Sequence, residues 1–484
     1  MPRPGVTTQV LDDFVPAGPA LNTGTGMIVG PTEKGPASTP VQVTSMRAYQ
    51  NTFGALAGGP DMYKAAYCFF NEGGLFLWVV RAVSSNAVEA TGTAAAVGGD
   101  WLDIAASSPG IWGNDVAVEI TPQGITTGGA PVMYVVRVLE DGVAKELSAP
   151  LAAPDVPSFR SQLVTMTEVA NPSYPLGDAP AIMVALTGGV NGGDPEQAEL
   201  GAALDTLRYD LGPAQVAFPG DSDQTTAELL DAHCTKYHRV AIYDCPDTAD
   251  PLELGVAVQG ISEMAGKGRQ ILSMGQRIDY PGEVAPAIWE VPYSGIQMGI
   301  IARVDGLNDP SQVAAGALGF SRLAIGPKRD FTDDERESLN YQGVTLGKVI
   351  QNQLRTYGYR TTAGQDETNW VFFQESRVVM AVAHECDAAL EDFVFQTIDG
   401  RGKLFGRVNV ALTGICQRYW QANALFGETP QEGFRVDTSY PGINTIETVG
   451  KGEIHAQVLL RTSRIAEWVA LDIVKVPLER AIAA

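Results

Sequence analysis

Residues 371–393, VFFQESRVVMAVAHECDAALEDF, and residues 403–427, KLFGRVNVALTGICQRYWQANALFG, decide how the rest of the chain is read. In the first, Val371, Val378, Val382, Cys386, Leu390 and Phe393 recur at intervals of three, four and seven, which puts them on one face of a helix. In the second, Phe405, Val408, Leu412, Ile415 and Tyr419 repeat the pattern until Gly427, a residue suited to ending a helix. Two amphipathic helices need a sheet to lie on. Strand-like runs follow at 433–438, 451–461 and 465–476, parted by the turn-rich Tyr440-Pro441-Gly442 and Thr462-Ser463. Residues 366–476 thus read as a helix pair on a small sheet.

Several stretches of this region, Tyr419-Trp420-Gln421-Ala422-Asn423-Ala424-Leu425-Phe426-Gly427, Phe434-Arg435-Val436-Asp437, Asn444-Thr445 and Gly450-Lys451-Gly452, resemble the C-terminal domain of contractile-tail sheath proteins. Toward the other end, Gly30-Pro31 through Gly35-Pro36, and Phe69-Phe70-Asn71-Glu72-Gly73-Gly74 before Val79-Val80-Arg81, are similar to the N-terminal portion of the same family. Ser108-Pro109-Gly110-Ile111-Trp112-Gly113-Asn114 is a further sheath-like signature. The resemblance implies a multidomain α+β and α/β chain. Its inner α+β domain would be built from both chain ends, with a β-rich domain and an α/β domain of subtilisin-like topology inserted.

Elementary bounds agree with a large folded chain. Its 484 residues, 45% of them apolar, can bury extensive cores and suggest about three domains. No apolar run is long enough for a membrane span, and Met1-Pro2-Arg3-Pro4-Gly5 lacks a signal-peptide core, so synthesis and assembly in the host cytoplasm without membrane insertion are expected. Cys68, Cys234, Cys245, Cys386 and Cys416 form no CxxC pair and read as buried free thiols. The formal charge is −23, of which residues 1–330 carry −18, and so acidic a surface speaks against nucleic acid as a partner.

In chain order, residues 1–24 read as an extended arm. Pro2, Pro4, Pro16 and Pro19 forbid helix, and Val6, Thr7, Thr8, Gln9 and Val10 offer one short strand. The arm is either a disordered tail or a strand donated to a neighbouring subunit. Residues 25–90 follow as strand, loop, a helix over 61–71 and a continuous apolar strand at 75–81, assigned with the resemblance to the inner domain. Residues 84–99, rich in Ala, Ser, Thr and Gly, suggest a boundary, and strands at 116–120, 132–139 and 182–186 make 91–190 a β-rich sandwich or barrel. Asp194 and Pro195 open a helix to about Tyr209. Strand 215–219, helix 224–237, strand 239–244 and helix 251–265 then make 191–330 an α/β unit. Thr332 and Glu335 form a capping box at the entrance to 331–469, where 344–361 reads as extended.

No catalytic set emerges from the sequence. Gly24-Thr25-Gly26 with Gly30 is out of the GxGxxG register, and Gly343 to Lys348 is one residue short of a phosphate loop with Val349 in place of the hydroxyl. Asp221 and Asp244 follow two α/β strands, where paired carboxylates could serve a hydrolase, but both also suit turns and caps. There is no GxSxG. His233 and His238 do not share a helical face, and His384 with Asp387 reads as a solvated polar face. The expectation is no catalytic residue, no cofactor and no metal.

The distinctive pattern is electrostatic. Between Gly400 and Gly427 there is no acidic residue, while Arg401, Lys403, Arg407 and Arg418 fall along one helical face. Such a stripe is either a solvated face or, as the resemblance implies, the surface turned toward an acidic tail tube. The resemblance further implies that residues 1–24 and 470–484, the latter including Ile473, Val474, Lys475 and Val476, exchange strands between copies in a helical sheath. It names as partners the tube protein and the baseplate and tail terminator proteins. Around Arg461-Thr462-Ser463-Arg464-Ile465-Ala466-Glu467-Trp468 the chain departs from the family's proline-containing approach to the last strand. The alternatives are a ring-forming tail or baseplate component and a hydrolase using Asp221 and Asp244.

Overall fold

The computed structural model describes residues 23–55, 60–123, 132–176, 179–307, 311–364 and 367–467. It is a mixed α/β chain with several sheets. The largest has eight strands in the order Gln353–Tyr357, Val344–Ile350, Ile271–Met274, Val240–Asp244, Gln215–Ala217, Gly26–Gly30, Leu77–Arg81 and Val41–Val43. Every pairing from Val344–Ile350 across to Leu77–Arg81 is parallel, and only the two outer pairings are antiparallel. Parallel strands need cover on both faces, and the two cores that seal this sheet meet that need. The strands come alike from 25–90, 191–330 and 331–469. These spans therefore contribute strands to one sheet.

One face is covered by Pro60–Glu72 and Tyr293–Leu307, which pack on each other. Their contact is close because Gly295 and Gly299 bring backbone to backbone: a Cβ at Gly299 would lie 2.7 Å from the Phe69 carbonyl oxygen. The other face carries Gln197–Leu204, Gln224–Tyr237 and Pro251–Ser262. The first of these starts at Gln197 rather than after Asp194, because Glu196 and Glu199 make a reciprocal capping box. The expected box at Thr332 and Glu335 is present, with both bonds made. The segment read as extended over 344–361 is a hairpin that turns through Gln351 and Asn352, both at positive φ.

Residues 90–186 fold around a core of their own, with a three-stranded and a five-stranded antiparallel sheet. The Ala-rich boundary is in part a strand of this unit, Thr91–Ala96, whose Ala94 is buried. The C-terminal helices are Phe373–Glu391 and Lys403–Gln421. The first begins two residues after Val371, whose carbonyl instead accepts the Thr361 N–H at 2.9 Å. The sheet beneath is smaller than expected: Phe434–Asp437 pairs with Gln457–Leu460 alone. The front of the run 451–461 is not strand, since Thr445 caps a helical turn at Ile446–Gly450 and Gly452 takes a positive φ. Residues 465–467 are not strand either, and 468–476 lie outside the described residues, as do residues 1–22 and 470–484 of the arms.

Candidate functional site

The helix pair is held by Val378, Val382 and Cys386 from the first helix against Val408, Leu412 and Ile415 from the second, with Leu425 closing one end. Phe373 and Met380 of the same first helix point into the large core under the eight-stranded sheet. That helix is therefore shared by two cores. Near the end where it enters the sheet unit, fully buried Arg377 makes a 2.5 Å ion pair with Asp305, which also accepts the Thr23 hydroxyl at 2.6 Å.

Four cations were expected on one face of the second helix, and the structure divides them. Arg401, Lys403 and Arg407 are exposed. Arg407 lies over the Phe393 ring and donates to the Gln396 side chain at 2.7 Å, with its charge unopposed among the described residues. Arg418 is instead half-buried and ion-paired with Glu385, which also accepts the Tyr419 hydroxyl at 3.0 Å. Asp399, just ahead of the acid-free run, is turned inward on the helix start. It accepts the N–H groups of Lys403, Arg401 and Leu404 at 3.2, 2.8 and 3.1 Å, which hold its carboxyl below the usual carboxylate range. Three exposed cations thus lie around a helix N-terminus that also holds Asp399, beside a loop where Phe395 is fully exposed at positive φ. No sequence pattern marked Phe395.

The remaining candidates are placed in structural roles. Asp244 is buried and accepts the Gly220 N–H at 2.9 Å together with the Ser294 N–H at 2.9 Å and hydroxyl at 2.5 Å, at the start of the 293–307 helix. Burial pushes its carboxyl up. Asp221 accepts the Asp223 N–H at 2.8 Å and the Thr226 hydroxyl at 3.1 Å. His233 accepts from Arg239 at 3.0 Å and is held down at about 3 by burial, then by the charges of Arg239 and Lys236. His384 corrects the sequence reading. It is buried, stacked on Tyr209 at 4.4 Å and 3.1 Å from the Tyr237 carbonyl, while Asp387 accepts the Tyr209 hydroxyl. His384 of the pair read as a solvated face lies at the junction between the C-terminal helices and the sheet unit, while Asp387 is exposed at its edge. All five cysteines are free and buried.

Among the described residues, no helix is long and apolar enough to cross a membrane, and no cluster of His, Cys, Asp or Glu could hold a metal. A groove of about 790 Å³ runs between Tyr357, Tyr359, Asn340 and Ile465 and includes Lys348 but neither Asp221, Asp244 nor the cations of the 403–421 helix.

This architecture, a helix pair docked on a mixed sheet with a β-rich unit let into the chain, is the fold of contractile sheath subunits. A sheath tail protein from Listeria innocua superposes with a TM-score of 0.62 at 11% identity, covering 92% of this chain and 96% of that one. The chain of an extracellular contractile injection system, solved as a PVC sheath complex in the contracted state, gives 0.61 at 14% identity with 99% of each chain covered. The anti-feeding prophage helical sheath in its contracted state gives 0.58 at 15% identity, covering 98% and 99%. No family model matches the chain, and no curated protein matches it in sequence.

Proposed function

We propose that this chain is the structural subunit of a contractile tail sheath. It polymerises helically around a tail tube and shortens to drive the tube through a target cell envelope. The observation that carries the reading is superposition from one end to the other, through all three structural units, on subunits of contractile sheaths. The work comes from assembly: an extended, kinetically trapped lattice relaxes to a shorter and wider one, with no nucleotide required. Residues 1–24 and 470–484, with Val6 to Val10 and Ile473 to Val476 as strands, link neighbouring copies by β-augmentation. We read the outer part of the eight-stranded sheet unit as the counterpart of the family's subtilisin-like domain. Its role is scaffolding, and the particle's baseplate and terminator proteins close the lattice at either end. The finished sheath belongs to the virion tail.

The tube-facing surface in this reading is the start of the 403–421 helix, with Arg401, Lys403 and Arg407 presented to an acidic tube. Arg418 of the stripe serves instead to hold Glu385. The test is negative-stain electron microscopy of the purified chain at rising concentration, beside a version lacking residues 1–24. Long hollow tubes from the intact chain and single subunits from the truncated one are expected. Rings alone would favour a baseplate component, and monomers from both would reject strand exchange.

A further inference from the structure

Three of the motifs quoted from the sequence lie far apart in the chain yet meet at one side chain. Arg81, 2% exposed, ends the strand Leu77–Arg81 at the root of the β-rich unit. Its Nε donates to the Thr32 carbonyl at 3.2 Å, Nη1 to the Gly35 carbonyl at 3.1 Å and to the Ser108 hydroxyl at 3.0 Å, and Nη2 to the Pro109 carbonyl at 2.8 Å. Thr32 and Gly35 belong to the sheet unit, while Ser108 and Pro109 belong to the β-rich unit. Guanidinium suits this post because its rigid fork spreads its donors over three nitrogens and so reaches acceptors on both sides at once, whereas an ammonium carries its three donors on a single atom.

The connections on either side are built to match. The two chain crossings between the units pair with each other as a short antiparallel ribbon. Val88 and Val190 exchange bonds of 2.9 and 3.0 Å, and Thr91 and Thr187 exchange bonds of 2.9 and 3.0 Å. Asn191 accepts the Ile111 N–H at 2.8 Å, and Asn114 accepts from and donates to Gly189 at 2.8 and 3.0 Å, so the 108–114 motif staples the returning crossing. Space for this is made by glycine. A Cβ on Gly110, at φ +136°, would lie 2.9 Å from Arg81 Nη2, and one on Gly189 would lie 2.4 Å from the Gly110 carbonyl oxygen. Outside the neck, Lys34 of the sheet unit reaches Glu140 of the β-rich unit at 2.5 Å, with both side chains mostly covered.

We propose that Arg81 is the pin of a rigid joint, so that the β-rich unit and the eight-stranded sheet turn as one body. A two-crossing neck joined only by loops would let the inserted unit swing freely. A buried cation shared among acceptors on both sides fixes the angle instead, because rotation would strand a charged donor set away from water. The inference stands on the single chain and does not depend on the sheath reading.

The test is hydrogen exchange on the full chain with Arg81→Met. Expected is roughly tenfold or faster exchange in peptides covering 84–91 and 187–192, with the 240–244 strand unchanged, the signature of local opening. A folded variant with unaltered neck protection would overturn the proposal. So would protection lost evenly from neck and sheet, which would make Arg81 a general stability residue. Should Arg81→Met fail to fold, Arg81→Lys and Asn191→Ala decide between the same outcomes through a smaller rise confined to the same two segments or none.

Discussion

The eight-stranded sheet unit holds a set of fully bonded charges in its interior, whereas the start of the second C-terminal helix presents three cations to solvent. In the sheet unit, Glu72 is fully buried and accepts from the Tyr280 hydroxyl at 3.0 Å, the Ser321 hydroxyl at 2.6 Å, the Arg322 N–H at 2.8 Å and Arg303 at 3.3 Å. Asp244, Arg239 and Arg81 are likewise buried and bonded. In the helix pair, Arg401, Lys403 and Arg407 face solvent, and Lys451 and Glu447 pair on the exposed side of a short turn. Buried ionic networks fix geometry at a cost in desolvation, whereas exposed charges remain available to a partner. The contrast assigns shape to the large unit and contact to the small one.

The strongest way to break this contrast is Glu72→Ala. It leaves Arg303 and three other donors without their acceptor and is expected to cost about 3–5 kcal/mol, lowering the urea midpoint of the whole sheet unit. A loss well under 1 kcal/mol would mean that the network is ornamental. Next comes Leu412→Ala, which opens a cavity in the small core and should cost about 2–3 kcal/mol, felt as faster exchange in 403–421 and 434–437 with the 240–244 strand untouched. Equal loosening of both units would show that they melt as one.

The last test sharpens the comparison through pH, and its effect is absent at neutral pH. In the unfolded chain His233 titrates near 6.5, and in the fold burial and Arg239 hold it at about 3. Between these values the unfolded chain binds a proton that the folded one refuses. The stability this neutral imidazole contributes is thus complete above pH 6.5 and drains away as pH falls toward 3. His233→Gln, which can still accept from Arg239, should flatten that acid slope in a series of unfolding midpoints. An unchanged slope would place acid sensitivity elsewhere.

Legibility in the sequence followed the geometry of burial. The second C-terminal helix showed its period because it buries one face, the first showed only the face it turns to the second, and Gln224–Tyr237 was read at its observed bounds. Tyr293–Leu307 gave no such signal and went unread. From Tyr293 to Val304 it is buried on every side, so no polar face interrupts it. The joining of strands from 26–30 and 215–217 was equally hidden, since Gln215 is buried and three-residue strands carry no alternation. At the candidate surface, the acid-free run was visible, but the partition of Arg418 from the other three depends on Glu385 of another helix. His384 looked like surface because the ring that covers it, Tyr209, lies far back in the chain.

The helix common to two cores has a consequence for exchange between relatives. A hybrid spliced just before residue 373 would pair a foreign Phe373 and Met380 with a native pocket, and one spliced just after 391 would do the same to Val378, Val382 and Cys386. Neither cut respects what the helix touches. Recombination, natural or engineered, should therefore be tolerated best when everything from the 344–357 hairpin onward travels as a single inheritance together with the residues beneath it.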